Sequence, residues 1–263
     1  APGGDLLSFN GDWGCGLGLP AGSFIIVDEI QRVPVLLDYV QMGIQKLNLR
    51  FILSGSSARK LKRSGANLLG GRALDLRLHP LTAEKMKQDF SIELALQMGT
   101  LPRIATLSLL EADREEARNL LKSYLTTYIK KEIQEEALVR NVGSFQRFLD
   151  IAGQGNAQMV EFSNISREAG VPASTVKEYY RILEDTLLGT FLWPHDRSER
   201  KKARPRFYFF DCGVVRALQM RLRDPATPDE RGFLFETWMV NELIRMRDYL
   251  GKEHRFSLWR KGN

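Results

Sequence analysis

The chain has 263 residues, 43% of them hydrophobic and 27% charged, with a formal net charge of +6. This is enough to bury a real core and to form two or more domains. It holds no apolar run long enough to span a bilayer and no signal peptide, and its modest positive excess permits nucleic-acid binding without demanding it.

The chain opens on a glycine-rich stretch, Gly11-Asp-Trp-Gly14-Cys-Gly16-Leu-Gly18, in which no Lys follows a Gly. It reads as a loop, not as a phosphate cradle. The phosphate-binding pattern Gly-x-x-x-x-Gly-Lys-[Ser/Thr] does not occur in the chain. Phe24-Ile-Ile-Val27 follows, four apolar residues that predict a strand buried on both faces, as in a parallel sheet. Asp28 and Glu29 stand at its end. Ligands of open α/β sheets sit beyond the carboxyl ends of the strands. An Asp there can hold Mg²⁺ through water, and a Glu beside it can orient an attacking water. That is the Walker B arrangement of a nucleoside triphosphatase. The cradle belongs before this strand, so the expectation is that the N-terminal part of the nucleotide domain lies outside the chain.

Leu49–Leu53 predicts a second strand, running into Ser54-Gly55-Ser56-Ser57. Small hydroxyl residues at that strand end are placed to sense a γ-phosphate. The alternation over Gly70–Leu78 predicts a third strand, ended by His79-Pro80, with Thr82 capping the next helix. Gly99-Thr-Leu-Pro102 is a break. Leu120, Leu121, Tyr124, Leu125, Tyr128, Ile129 and Ile133 then recur at helical spacing from about Ala117 to Ala137.

Shorter helices follow. Phe145, Phe148, Leu149 and Ala152 line one face of the first. Ser163 caps the second, Gly170-Val171-Pro172 makes a turn, and Ser174 starts the third. That third helix turns Val176, Tyr180, Leu183 and Leu187 inward. A short helix, a glycine-containing turn and a longer helix make a helix-turn-helix pattern. Thr190–Trp193 and Arg206–Phe210 predict a hairpin, which completes a winged helix. The loop between its strands carries Arg197, Arg200, Lys201, Lys202 and Arg204 against a single Glu199. With Thr175, Lys177 and Arg181 on the third helix, Arg200, Lys201, Lys202 and Arg204 are the candidate contacts to DNA phosphates. Glu178, Glu184 and Asp185 oppose that reading, and a protein contact or a solvated loop is the alternative.

From Asp229 an amphipathic helix is predicted. Arg255–Trp259 reads as a strand that begins a new sheet or joins an earlier one. Cys15 and Cys212 are far apart, which argues against a disulfide or a zinc site and for reduced thiols in a cytosolic protein. His79, His195 and His254 lack metal-ligand spacing.

Several stretches together resemble a family of prokaryotic AAA+-type ATPases that carry a C-terminal conserved domain of unknown function. They are Val27–Gln31, Leu53–Ser57, Gly71-Arg72 with Pro80–Thr82, Gly99–Pro102, Tyr124–Ile129, Gly170–Tyr179, Phe207–Gly213 and Gly232–Thr237, in the family's order. The resemblance implies that Asp28 and Glu29 are the Walker B pair, with Ser54 or Ser56 at the sensor position. It implies that Arg72 reaches a γ-phosphate, although a surface pair with Asp75 is the plainer role. It further implies a winged helix joined to a restriction-endonuclease-like region in which Glu236 is an early helical carboxylate. The other nuclease ligands would follow Asn263, so metal-dependent cleavage by this chain is unsupported.

The fold expected is therefore multidomain α/β. Residues 1–89 are part of an AAA+-like P-loop sheet and 90–142 a helical connector. Residues 143–212 form a winged helix, and 213–263 start a nuclease-like α/β unit. The function expected is an ATP-driven switch, an ATPase in the intact protein and inactive in this chain alone. The alternatives are a DNA-associated adaptor with a vestigial nucleotide core and a nucleotide-gated nuclease or defence effector. Expected partners are ATP, double-stranded DNA and further copies of the chain, with no membrane.

Overall fold

The structure is a computed structural model that describes residues 19–33, 35–55, 73–74, 76–129, 141–195 and 204–259. The chain divides into two compact units, Ala1–Asp75 and Leu76–Asn263. No described helix is long and apolar enough to cross a membrane.

In the first unit, β1 (Phe24–Val27) pairs in parallel with β2 (Arg50–Leu53), Ile25 opposite Phe51 and Val27 opposite Leu53. Helix α1 (Leu36–Leu47) connects them and buries Leu37, Val40 and Gly43. Gly43 has to be small, because a Cβ there would stand 2.9 Å from the Phe51 ring. Asn48 ends the helix in the left-handed region that Asn tolerates. The first strand was expected to be buried on both faces. Instead the burial alternates, and Phe24, Ile26 and Ile52 are more than half exposed. Among the described residues, helix α1 packs against the face that holds Phe51, and that covers one side alone.

The second unit opens with α2 (Ala83–Met86), α3 (Ile92–Met98), α4 (Pro102–Ser108) and α5 (Arg114–Ser123). Thr82 caps α2 as expected, accepting from the Lys85 N–H at 3.3 Å. The strand expected over Gly70–Leu78 is not formed by residues 73–74 or 76–78, and Leu74, Leu76 and Leu78 are exposed. The helix expected from Ala117 to Ala137 starts earlier and does not stay regular. After α5 it widens into a π-helical turn, Tyr124–Ile129. There the Thr126 hydroxyl donates to the Lys122 and Ser123 carbonyls, at 3.0 and 3.4 Å, and competes with the regular ladder.

Next come α6 (Val142–Gln154), α7 (Phe162–Ala169), α8 (Ala173–Asp185) and an antiparallel pair, β3 (Gly189–Leu192) with β4 (Arg206–Phe209). Phe145, Phe148, Leu149 and Ala152 are buried on α6, as their spacing predicts. Ser163 and Ser174 do not cap; each lies inside its helix, and the residues before the helices are Glu161 and Pro172. Gly170 turns the chain between α7 and α8 at φ +67°, where any side chain is strained. Val176, Tyr180 and Leu183 are buried, but Leu187 is past the helix end at φ +59° and more than a third exposed. Phe148, Tyr180 and Phe207 pack ring on ring, with centroids 4.8 Å apart in both the Phe148–Tyr180 and Tyr180–Phe207 pairs.

Helix α9 (Cys212–Leu218) is buried along its whole length. Helix α10 (Pro228–Tyr249) starts with Pro at its first position and a reciprocal Thr227–Glu230 capping box. The amphipathic expectation for α10 is inverted. Its buried positions include Thr237, Asn241, Glu242 and Arg245, while Phe235, Met239, Leu243 and Met246 are exposed. The inward polar groups serve backbone that lacks ladder partners. Asn241 Nδ2 donates to the Phe209 carbonyl at 2.7 Å, and the Ala83 N–H donates to Glu242 at 2.8 Å. Leu258 joins the earlier hairpin and starts no new sheet among the described residues. Its N–H donates to the Trp193 carbonyl and its own carbonyl accepts from His195 N–H, both at 2.8 Å.

His79 ties the start of this unit to the end of α10. Its Nε2 is 2.8 Å from Asp248 Oδ2, and its ring meets Tyr249 edge-on. Burial pushes His79 below its ordinary value, against the pull of Asp248. Burial also pushes Asp248 up, but hydrogen bonds from His79 and Arg247 outweigh it and hold that carboxyl low. At both positions the unfolded chain takes up protons before the folded one. Stability present at neutral pH is therefore lost as pH falls below about 6.5, the ordinary histidine value. We expect the thermal midpoint to drop between pH 7.5 and 5.5, and His79→Gln to flatten that slope.

Candidate nucleotide site

The parallel register sets Asp28 and Ser54 side by side, each one residue beyond its strand. The Ser54 N–H donates to the Val27 carbonyl at 2.9 Å, so the ladder continues one step past the last strand pair. The Ser54 hydroxyl makes a short hydrogen bond to Asp28 Oδ1. The same carboxylate oxygen accepts from the Glu29 N–H at 3.1 Å. Glu29 N–H also lies 3.4 Å from Ser54 Oγ, and the Ile30 N–H donates to the Ser54 carbonyl at 3.1 Å. The turn after β1 is thus stitched to the turn after β2.

Glu29 sits at φ 54°, ψ 42°, a left-handed conformation uncommon outside Gly, Asn and Asp. It is held there by the two bonds at its N–H, at the carboxyl end of a parallel strand. Backbone strain of this kind concentrates at functional sites. The Glu29 carboxylate lies 3.7 Å from Arg32, an exposed ion pair of little energetic weight. Of the sequence-predicted nucleotide residues, the structure brings together Asp28, Glu29 and Ser54. Ser56 and Arg72 lie outside the described residues, as does the side chain of Gln31.

Among the described residues no cluster of three or more His, Cys, Asp or Glu could hold a metal alone. Mg²⁺ does not need one. It keeps several waters and takes one or two carboxylates plus substrate phosphates. An exposed Asp28, with one oxygen already fixed by a hydroxyl and an N–H, fits that role.

The candidate DNA residues are placed unevenly. Lys177 is exposed, with its Nζ 5.4 Å from the Phe162 ring centroid. Arg181 lies between Glu178 and Asp185 at 3.6 and 3.9 Å. Arg204 pairs with Glu161 at 3.0 Å. Thr175 is half-buried. Arg197, Arg200, Lys201 and Lys202 lie outside the described residues. The Arg181 and Arg204 side chains are themselves exposed, so a phosphate can reach them. Glu236 receives two bonds from Arg206 Nη1, at 2.6 and 2.8 Å, and one from the Tyr208 hydroxyl at 2.6 Å. That carboxylate braces α10 against β4.

Residues 90–225, slightly more than half of the chain, match a family model described as a domain of unknown function, DUF8612. The chain belongs to that family. Residues 15–87 match a second model, described as an AAA domain. The DUF8612 chain thus joins a segment similar to an AAA domain to a domain of unknown function, with a mixed α/β fold that is mostly helical and has small sheets. Comparison with curated proteins and with solved structures returned no match.

A buried polar lock, to which the sequence assigns no role, joins Thr100 and Asp211 inside the DUF8612 match to Leu81 and Arg245 outside it. Asp211 caps α9 through Gly213 N–H and Val214 N–H, and accepts from the Thr100 N–H at 2.7 Å. Arg245 donates to the Thr100 hydroxyl at 2.8 Å and to the Leu81 and Phe210 carbonyls at 2.9 and 2.8 Å. Burial pushes the Asp211 carboxyl up, opposed by those N–H groups and by Arg245. The signal was in view. Gly99-Thr100, Asp211-Cys-Gly213 and Pro80-Leu81-Thr82 are all stretches that carry the family resemblance, and here they meet.

Proposed function

We propose that the intact protein is an ATP-hydrolysing switch whose nucleotide state controls a winged-helix module that contacts duplex DNA. The observation that supports the catalytic part is the convergence of Asp28, Glu29 and Ser54 at the carboxyl ends of two parallel strands. Asp28 would hold Mg²⁺ through water, and the ion supplies charge neutralisation for the phosphates. Ser54 anchors Asp28 and senses the terminal phosphate. Glu29, turned by its left-handed backbone, positions the attacking water.

Support for the winged-helix part is the order α6, α7, glycine turn, α8, β3, β4. Lys177 and Arg181 stand on its third helix, and the basic stretch from Arg197 to Arg204 joins its strands. Phosphate contacts from these side chains give affinity without sequence choice.

The test of the first part is Glu29→Gln in the full-length gene product. ATP turnover should fall by about 10²–10⁴, the worth of a positioned acid-base group, with ATP binding retained. Unchanged turnover overturns the role. For the second part, duplex affinity measured by fluorescence anisotropy should fall with Lys177→Ala and Arg181→Ala. Each should reduce the salt slope by about one. An unaltered salt slope removes α8 from the interface.

A further inference from the structure

We infer that a cleft between α6, α7 and the turn after α9 is a binding site for an organic cation with an apolar body. The cavity measures about 540 Å³, within the range of small-molecule sites. Its apolar wall includes Ile151, Met159 and Leu218. Its carboxylates are Asp150, Glu161 and Glu168, and among the described residues that line it there is no Lys or Arg. Glu161 is engaged by Arg204 at 3.0 Å and Asp150 accepts from Gln146 at 2.9 Å, which leaves the site's excess charge negative.

The floor is the decisive feature. Tyr180 is 2% exposed, packed among Phe148, Phe162, Phe191 and Phe207, and it lines the cleft. Among the described residues, no group hydrogen-bonds its hydroxyl, and the hydroxyl is not among the buried unpartnered side-chain atoms, so it keeps contact with the open space of the cleft. That hydroxyl is a polar contact open to a ligand atom. An ammonium or guanidinium donates to the phenol oxygen and is drawn in by the rim carboxylates. Its hydrocarbon frame rests on the apolar wall. Neither the nucleotide reading nor the DNA reading uses these residues, and a phosphate is repelled here.

The source of the cation is a free amine or a basic side chain of a peptide. Titration by heteronuclear NMR of the whole chain separates them, using 3-phenylpropylamine, 3-phenylpropanol, 3-phenylpropanoate and an acetylated, amidated Leu-Arg dipeptide. The amine or the dipeptide should shift the amides of residues 150–168 and 218–220, and the carboxylate should not. The tighter of the two cations identifies the source. Tyr180→Phe should weaken the cation about fivefold, the worth of one net hydrogen bond, and should leave the thermal midpoint unchanged because no partner is orphaned. Asp150→Asn with Glu168→Gln should weaken it about tenfold and leave 3-phenylpropanol untouched. Equal binding of cation and carboxylate overturns the inference, as does cation binding that is indifferent to both variants.

Discussion

Asp211→Ala should lower the unfolding free energy of the chain by about 3–5 kcal/mol, the cost of leaving three buried backbone N–H groups without their charged acceptor. The carboxylate is 2% exposed and serves three backbone N–H groups as well as Arg245. Its loss uncaps α9, leaves the Thr100 N–H without a partner and removes a negative charge near the buried Arg245, which keeps Glu242 at 3.9 Å. Arg245→Met should cost less than that, because the methionine fills the space and the three oxygen acceptors of Arg245 retain some freedom to relax. The two changes together should cost clearly less than their sum, since each removes what makes the other expensive. Urea unfolding of the two single variants and the double variant reads this directly. Additive losses would mean that Asp211 and Arg245 act independently, and the lock described above would not exist as a unit.

Gly213→Ala is the second change of large effect. A Cβ there would lie 2.0 Å from the Met98 carbonyl oxygen and 3.0 Å from the Gly99 nitrogen, both backbone atoms that no rotamer change can move. Helices α3 and α9 must separate to admit one methyl group. We expect a loss of at least about 3 kcal/mol, the upper end for overpacking. Gly232→Ala is the contrasting case. It lies in the first turns of α10 with nothing within 4 Å of the added carbon, so the better helix former should stabilise by about 0.5–1 kcal/mol. Opposite signs for two Gly→Ala changes inside helices would show that close approach, and not helix propensity, requires Gly213.

Much of the order of elements was legible. Strands β1 and β2 follow from short apolar runs, and the three helices after Ser144 from periodicity that marks a buried face, with the β3–β4 hairpin after them. Caps were less so. Thr82 has the geometry its type suggests, while Ser163 and Ser174 resemble caps but sit inside their helices. A hydroxyl marks a helix start only when the chain before it is extended, and that depends on neighbours distant in sequence. The π-helical turn after α5 and the poorly covered face of β1 and β2 were invisible for the same reason.

Helix α10 misled most. Its composition admits an apolar inner stripe, yet it turns Thr237, Asn241, Glu242 and Arg245 inward and Phe235, Met239, Leu243 and Met246 outward. Those polar groups satisfy the Leu81 carbonyl, the Ala83 N–H and the Thr100 hydroxyl, all more than 100 residues away. No local pattern encodes such demand. In the candidate nucleotide site, the types Asp28, Glu29 and Ser54 and their strand ends were readable, but the left-handed turn at Glu29 and the bond from Ser54 to Asp28 were not.

By itself, then, the order of amino acids determined which segments are strand or helix and which acids end a parallel strand. Those properties depend on nearest neighbours and on periodicity along one element. The tertiary structure alone decided which side of α10 faces in, that Asp211 and Arg245 share one buried network, and that Tyr180 keeps an unmet hydroxyl against a cleft. Each of these arises where chain segments far apart in sequence compete to satisfy the same buried polar groups, and that competition is settled only once they are packed together.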